Sequence, residues 1–340
     1  MAPQTLSAER VNQAAEQTSL DDVLLYTHNA KNAFDEGNPQ RIDAYLERLA
    51  EVNPDAGFLS EAYLWQHASD EHLQQVLTKF GDLGYKAIAF DYSEYDRDAS
   101  RPDRHGGIMF ARRKMYVGGE IFGLNGQDGR RAIQMTLQTD SGERFVMVGA
   151  HANDRPEPRG IETDELRCHY VELHDNGVPV VMIGDFNSDA VSAKKNMLAR
   201  VLHAGGRLAS HSKRLARQAA EQEAGQRNTK VGRLASLAIR SYFQLEGDTI
   251  RQLIGEQSPT LISANTEHRP IGHVPKNVPG FVRRALRIMP WLDRPYIESE
   301  YIFADEGYSF SGFTRYSRLV GDEHAAISAL LHLGELATAA

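Results

Sequence analysis

The amino-acid sequence predicts a layered α/β protein with a mixed β-sheet. Two observations predict it. Short apolar runs of strand length alternate with stretches of helical period, and one adjacent pair of runs is joined by a turn sequence alone. Helical crossovers go with parallel strands and a hairpin with antiparallel ones, so the sheet mixes both.

The elements follow in chain order. Residues 1–20 read as a weakly helical leader. VLLYTHNA at 23–30 is apolar and ends in polar residues, as a buried strand does on reaching a sheet edge. Pro39 opens a helix at its first position, with Ile42, Tyr45, Leu46 and Leu49 at helical spacing. The turn Asn53-Pro54-Asp55 leads into a second strand at 56–62. Ser69, followed by Asp70 and Glu71, caps a helix whose apolar face is Leu73, Val76, Leu77 and Phe80. KAIAFD at 86–91 and GIMFA at 107–111 are core strands, and the runs 131–139 and 144–151 flank Asp140-Ser141-Gly142 as a hairpin. Residues 163–176 form a helix closed by Gly177, with Cys168 read as core filler, and the strand VVMIGDFN at 180–187 follows directly. From 192 to about 295 the pattern is mostly helical, broken by Pro and Gly at 268–280. YIFA at 301–304 and the stretch after His324 return to apolar core.

Composition bounds the function classes. With 41% hydrophobic and 25% charged residues the chain is of globular type, and no run of eighteen apolar residues encodes a membrane span. A polar N-terminus and a single cysteine point to the cytoplasm. The net charge of −8 is uneven: between 200 and 294 sixteen Lys/Arg stand against seven Asp/Glu, a local +9 that leaves −17 elsewhere. Such a segment either meets an anionic partner or is a solvated helical surface. No pattern speaks to oligomeric state.

Five apolar runs end in polar residues: Thr27-His28-Asn29, Ser60-Glu61, Ala150-His151-Ala152-Asn153, Gly184-Asp185-Phe186-Asn187 and Glu323-His324. A sheet whose strands end along one rim gathers these groups in a single cleft, and that convergence is the functional signal. Asp185 and Asn187 stand at i and i+2, on one side of an extended chain. A carboxylate beside a carboxamide suits hard-metal or water chemistry, although GDFN in isolation also fits an Asx-turn. Glu61 is either a solvated strand end or an oxygen ligand for Mg²⁺. His151 is a hydrogen-bonded rim residue or, with phosphate in the cleft, a donor to a non-bridging oxygen. His324 lies beside Glu323, which favours the imidazolium form.

In this order the segments resemble the endonuclease/exonuclease/phosphatase superfamily, the DNase I-like fold. Asn29 ends the first strand and Glu61 follows the second. His151, then GDFN with Asp185 and Asn187, come next. EYIF at 300–303 is similar to the family's D-Y-I-F strand, and GDEHAAI at 321–327 to its S-D-H element. GGIMFARR at 106–113 is similar to its G-x-A-I-L-S-R strand. The likeness covers about 21–195 and 298–335.

The resemblance implies a two-layer α/β sandwich over 21–335, with a largely helical basic insertion at about 197–295. It further implies Mg²⁺ or Mn²⁺ at the sheet rim. Glu61 would be the principal metal ligand, supported by Asn29 and Glu323. Asp185 would activate the attacking water, and Asn187 would orient it. His151 and His324 would stabilise the phosphorane, with Glu300 holding His324. The reaction implied is in-line attack of water on a phosphoester.

Two departures stand out. Glu300 and Glu323 replace aspartates of the family and extend each carboxylate by a methylene, enough to alter a hydrogen bond or a coordination sphere; Asp322 is an alternative to Glu323. The second departure is the long basic insertion. Lys213, Arg214, Arg217, Arg227, Lys230, Arg233 and Arg240 form one cluster in it, and Arg283, Arg284 and Arg287 lie on one helical face near Phe281 and Trp291. That trio would bind substrate, a nucleic-acid backbone or equally an anionic lipid surface, or else the insertion packs on the acidic core. The function expected is therefore phosphodiester hydrolysis, a nuclease first, with a phosphatase or lipid phosphodiesterase as alternatives. A catalytically weak protein binding nucleic acid or an anionic surface is the reading of another class.

Overall fold

Apolar residues alternate between two cores along the central strands, and this period of two sets the architecture. The computed structural model describes residues 22–64, 67–92, 105–124, 130–153, 156–187, 253, 259–264, 300–316, 319 and 325–333. Its first sheet contains β1 (Asp22–Asn29), β2 (Ala56–Leu64), β3 (Tyr85–Asp91), β4 (His105–Arg112), β11 (Ser309–Arg315) and β12 (Ile327–His332), in the order β11-β12-β1-β2-β4-β3. The second contains β5 (Tyr116–Gly123), β6 (Arg131–Gln138), β7 (Arg144–His151), β8 (Val180–Asp185), β9 (Leu261–Ser263) and β10 (Glu300–Asp305), in the order β5-β6-β7-β8-β10-β9.

Each sheet is mixed in the same way. β1 and β2 run parallel at the middle of one, β7 and β8 at the middle of the other, and the remaining pairings are antiparallel. Each parallel pair is bridged by a helix, α1 (Pro39–Val52) in the first and α3 (Pro156–Asp175) in the second. Both expected signals at the first two helices are present. Pro39 begins α1, and the Ser69 hydroxyl accepts the His72 N–H at 3.2 Å to cap α2 (Asp70–Asp82).

Val23 and Leu25 of β1, Phe58 of β2, Phe145 and Met147 of β7, Val181 and Ile183 of β8, and Ile302 and Ala304 of β10 pack together between the sheets. Their sequence neighbours face outward. Tyr26 and Leu59 meet Tyr45 and Leu49 of α1 and Phe80 of α2, whereas Val148, Met182 and Phe303 meet Leu166 and Tyr170 of α3. The result is an α/β sandwich of two mixed sheets with helices on its outer faces, as expected. No helix among the described residues is long and apolar enough to cross a membrane.

The structure departs from expectation in three places. β5, β9 and β11 were not expected, and β9 lies inside the segment read as mostly helical. α3 begins at Pro156 rather than 163, because proline is well accommodated in a first turn. Cys168 is exposed, not core filler, since Leu166 and Tyr170 supply the buried face of α3. The residue leader 1–20, most of the insertion at 197–295, and Glu323, His324, Arg283, Arg284 and Arg287 lie outside the described residues.

Candidate functional site

The rows of side chains that fill the inter-sheet core become polar at one end. The row of β1 runs Val23, Leu25, Thr27, Asn29; that of β7 ends on His151; that of β8 runs Val181, Ile183, Asp185; and that of β10 starts at Glu300. All of these polar groups are buried. Glu300 lies opposite Asp185 across the β8–β10 pair, and His151 opposite Asp185 across β7–β8. The site is thus the polar end of the core between the sheets.

Glu61 joins by a different route. Regular alternation after Phe58 would turn Ser60, not Glu61, inward. The pairing of β2 with β4 shifts register between Leu59 and Tyr63, and Glu61 takes a φ of 44° within this irregularity. That bulge swings its carboxylate into the cleft. The Glu61 N–H is held by donation to the Tyr92 hydroxyl at 3.0 Å, and the Tyr92 ring packs edge-on against His151.

Hydrogen bonds tie the cluster together. The Asn29 Nδ2 donates to Glu61 Oε1 at 3.1 Å and to Asp185 Oδ2 at 2.9 Å, while its Oδ1 accepts the Lys31 N–H at 3.2 Å. Asn29 therefore shows the two carboxylates a donor, the arrangement of a positioning contact. Asp185 Oδ1 accepts the Asn187 N–H at 2.9 Å. Asn187, at a φ of 49°, donates from Nδ2 to the Ala152 carbonyl at 2.8 Å and lies 3.0 Å from His151 Nε2. The Ala152 carbonyl fixes which end of the amide is nitrogen, so Nε2 is an acceptor and the ring proton sits on Nδ1. Glu300 Oε2 accepts from the Thr27 hydroxyl at 3.2 Å.

Electrostatics agree with a neutral ring. Burial pulls the His151 imidazole down to about 4, against the opposing pull of Asp185 and Glu61, so the ring is neutral at pH 7. For Glu61, burial pushes the carboxyl up, yet the surrounding His151, His105 and Lys31 and the Asn29 amide outweigh it and hold the group far below the usual carboxylate range. Lys31, whose Nζ lies 3.3 Å from Glu61 Oε2, is a permanent cation beside that carboxylate.

The ligand atoms of Glu61, His151 and Asp185 lie within 4.8 Å of one another, and among the described residues no other such group of three occurs. The two carboxylates of this group are oxygen donors of the kind a hard divalent cation takes. A family model for the endonuclease/exonuclease/phosphatase family matches residues 26–227, from β1 past β8. The chain belongs to this family. Its members are hydrolases acting on phosphoester bonds.

None of the curated proteins matches the chain by sequence. Solved structures do match in fold. The catalytic domain of human Nocturnin, with a bound sulfate anion, aligns at a TM-score of 0.55 and 13% identity, over 92% of this chain and 94% of that one. A family member from Bacteroides vulgatus aligns at 0.54 and 14%, over 91% and 98%. TDP2 from D. rerio, complexed with a single-strand DNA product, aligns at 0.51 and 12%, again over 91% and 98%.

Of the residues singled out in the sequence, the structure brings together Asn29, Glu61, His151, Asp185, Asn187 and Glu300. Sequence reasoning missed the groups that surround them. The Nζ of Lys31 lies 3.3 Å from Glu61 Oε2, and His105 Nδ1 lies 3.9 Å from the same oxygen. On α3, the wholly buried Arg159 donates to the Asn187 carbonyl at 2.7 Å, and Glu162 accepts the Asn153 N–H at 2.8 Å. Arg130 closes this layer, donating to the His151 carbonyl at 2.7 Å with its Nε 3.7 Å from Glu162. Arg159→Met is expected to lower stability by about 3 kcal/mol, because it strips a partner from a partly buried carbonyl and removes a charge from a buried network. Urea unfolding reads this directly, and an unchanged midpoint would show that Arg159 does not brace the GDFN turn.

Proposed function

We propose that the protein is a divalent-metal-dependent hydrolase of phosphodiester bonds, with nucleic acid as its substrate. The observation that carries this reading is the meeting of Glu61, His151 and Asp185 at one strand rim, with Asn29 and Asn187 bonded into the same cluster. The family supports phosphoester chemistry. The DNA product in the D. rerio TDP2 structure and the basic insertion of this chain both favour a nucleic-acid strand.

Glu61 is the group we assign to Mg²⁺ or Mn²⁺, with Asn29 and Glu323 as further candidates. When bound, the ion supplies Lewis-acid polarisation of a phosphoryl oxygen. The chain's own residues do the rest. Asn29 spaces the two carboxylates. Asp185 takes the proton of the attacking water, and the Asn187 carboxamide, its nitrogen already engaged by Ala152, turns its oxygen to that water. In the resting arrangement His151 Nε2 accepts from Asn187, so donation to a phosphate oxygen requires the ring to gain a proton or to move its proton to Nε2. Glu300, anchored by Thr27, would hold His324 as the second donor. The single cysteine favours a cytoplasmic setting.

The test is direct. With Mg²⁺ or Mn²⁺, single- and double-stranded DNA, RNA and a generic phosphodiester are offered in parallel. We expect cleavage of a nucleic acid that chelation abolishes. Turnover confined to monoesters or lipids would reject the nuclease assignment. No turnover on any substrate, with salt-sensitive nucleic-acid binding retained, would favour a binding protein.

A further inference from the structure

Lys31 is the basic residue placed most directly on the carboxylate assigned to the metal. It stands in the turn after β1, where Lys31 and Asn32 take φ values of 46° and 60° in succession, a conformation that asparagine tolerates and lysine seldom adopts. The turn is pinned. Arg41 of α1 donates to the Lys31 carbonyl at 2.8 Å and to the Ala30 carbonyl at 3.1 Å, and the Asn32 N–H donates to the Glu61 carbonyl at 2.6 Å. The ammonium so delivered lies 3.3 Å from Glu61 Oε2, on the side of the carboxylate away from Asn29, which holds Oε1. The Lys31 side chain is 38% exposed, so it reaches solvent as well as Glu61.

A lysine ammonium is a compact, strongly hydrated charge on a flexible stem, able to exchange one anionic partner for another. Glu61 Oε2 cannot serve both this cation and a divalent ion at full strength. We infer that Lys31 is the counter-ion of Glu61 in the metal-free protein, and that it turns to an oxygen of the substrate phosphate when a divalent ion takes Glu61. This rests on the assignment of the metal to Glu61 made above. The exchange couples the two ligands: the ion releases a cation for phosphate, and phosphate, by engaging Lys31, removes a competitor of the ion. Linkage requires the coupling to be reciprocal.

Calorimetric titration of the metal-free full chain with Mn²⁺, with and without inorganic phosphate, tests this without reference to turnover. Lys31→Met removes the charge while keeping the stem, and Lys31→Gln repeats the test with a polar group. We expect both variants to bind Mn²⁺ about tenfold more tightly than the wild type. We also expect phosphate to tighten Mn²⁺ binding in the wild type and in Lys31→Arg, but not in the two neutral variants. Unchanged or weaker Mn²⁺ affinity in both neutral variants, with Glu61→Gln still impairing binding, would overturn the role of Lys31 and leave the metal site standing. If wild type, Lys31→Met and Lys31→Gln all fail to bind Mn²⁺, both the metal site and the exchange are rejected.

Discussion

Asp185→Asn is expected to leave a folded protein that hydrolyses a phosphodiester about 10³–10⁴-fold more slowly. An asparagine amide cannot take the proton of an attacking water, while its oxygen can still accept the Asn187 N–H that Asp185 Oδ1 accepts at 2.9 Å. The other side of the substitution is less favourable. Asp185 Oδ2 accepts the Asn29 amide at 2.9 Å, so the new amide nitrogen meets a donor, and Asn29 is kept from turning by the bond from Lys31 N–H to its Oδ1. One buried donor left without an acceptor costs about 1–3 kcal/mol. Asp185→Ala forfeits both acceptors and so lies lower still. The two variants therefore share inactivity but differ in urea midpoint, in the order wild type, Asn, Ala. Steady-state hydrolysis with Mn²⁺, run beside unfolding curves, checks both halves. An Asp185→Asn enzyme within tenfold of the wild type would take the general-base role away from Asp185.

How far the site could be read beforehand depended on whether strand alternation reached it. Asn29, His151 and Asp185 continue the inward row of β1, β7 and β8, so hydrophobic pattern alone aims them correctly. Glu61 does not: it is out of phase with Phe58 and enters through an irregularity at positive φ that no apolar pattern announces. Lys31 is two residues from Asn29 in sequence, but its partner Glu61 is thirty residues away, and only the parallel pairing of β1 with β2 joins them. Arg159 gave no signal at all, because an arginine between Pro158 and Gly160 reads as loop surface, whereas here it is buried. The missed strands have a common cause. β5 and β11 end their sheets with faces largely exposed, so their side chains carry little alternation, and β9 has three residues.

Gly184→Ala should be the most damaging single methyl group in the described protein. Gly184 has a φ of 145°, a region closed to other residues, and a Cβ built there would lie 1.9 Å from the Ala150 carbonyl oxygen and 3.2 Å from the Phe58 ring. Backbone, unlike a side-chain tip, cannot step aside without breaking the β7–β8 ladder in which Ala150 and Gly184 are partners. We expect a loss of about 4 kcal/mol or more, which for a domain of ordinary stability means little soluble folded protein. Gly177→Ala provides the contrast. Gly177 also has positive φ, at 72°, but open space surrounds it, so the substitution costs about 1 kcal/mol. Equal urea midpoints for the two variants would refute the close approach at Gly184. That approach is what the site requires: the next pair along the ladder is His151 with Asp185, and only a residue without a side chain at 184 lets β8 lie tightly enough on β7 to bring imidazole and carboxylate into one cluster.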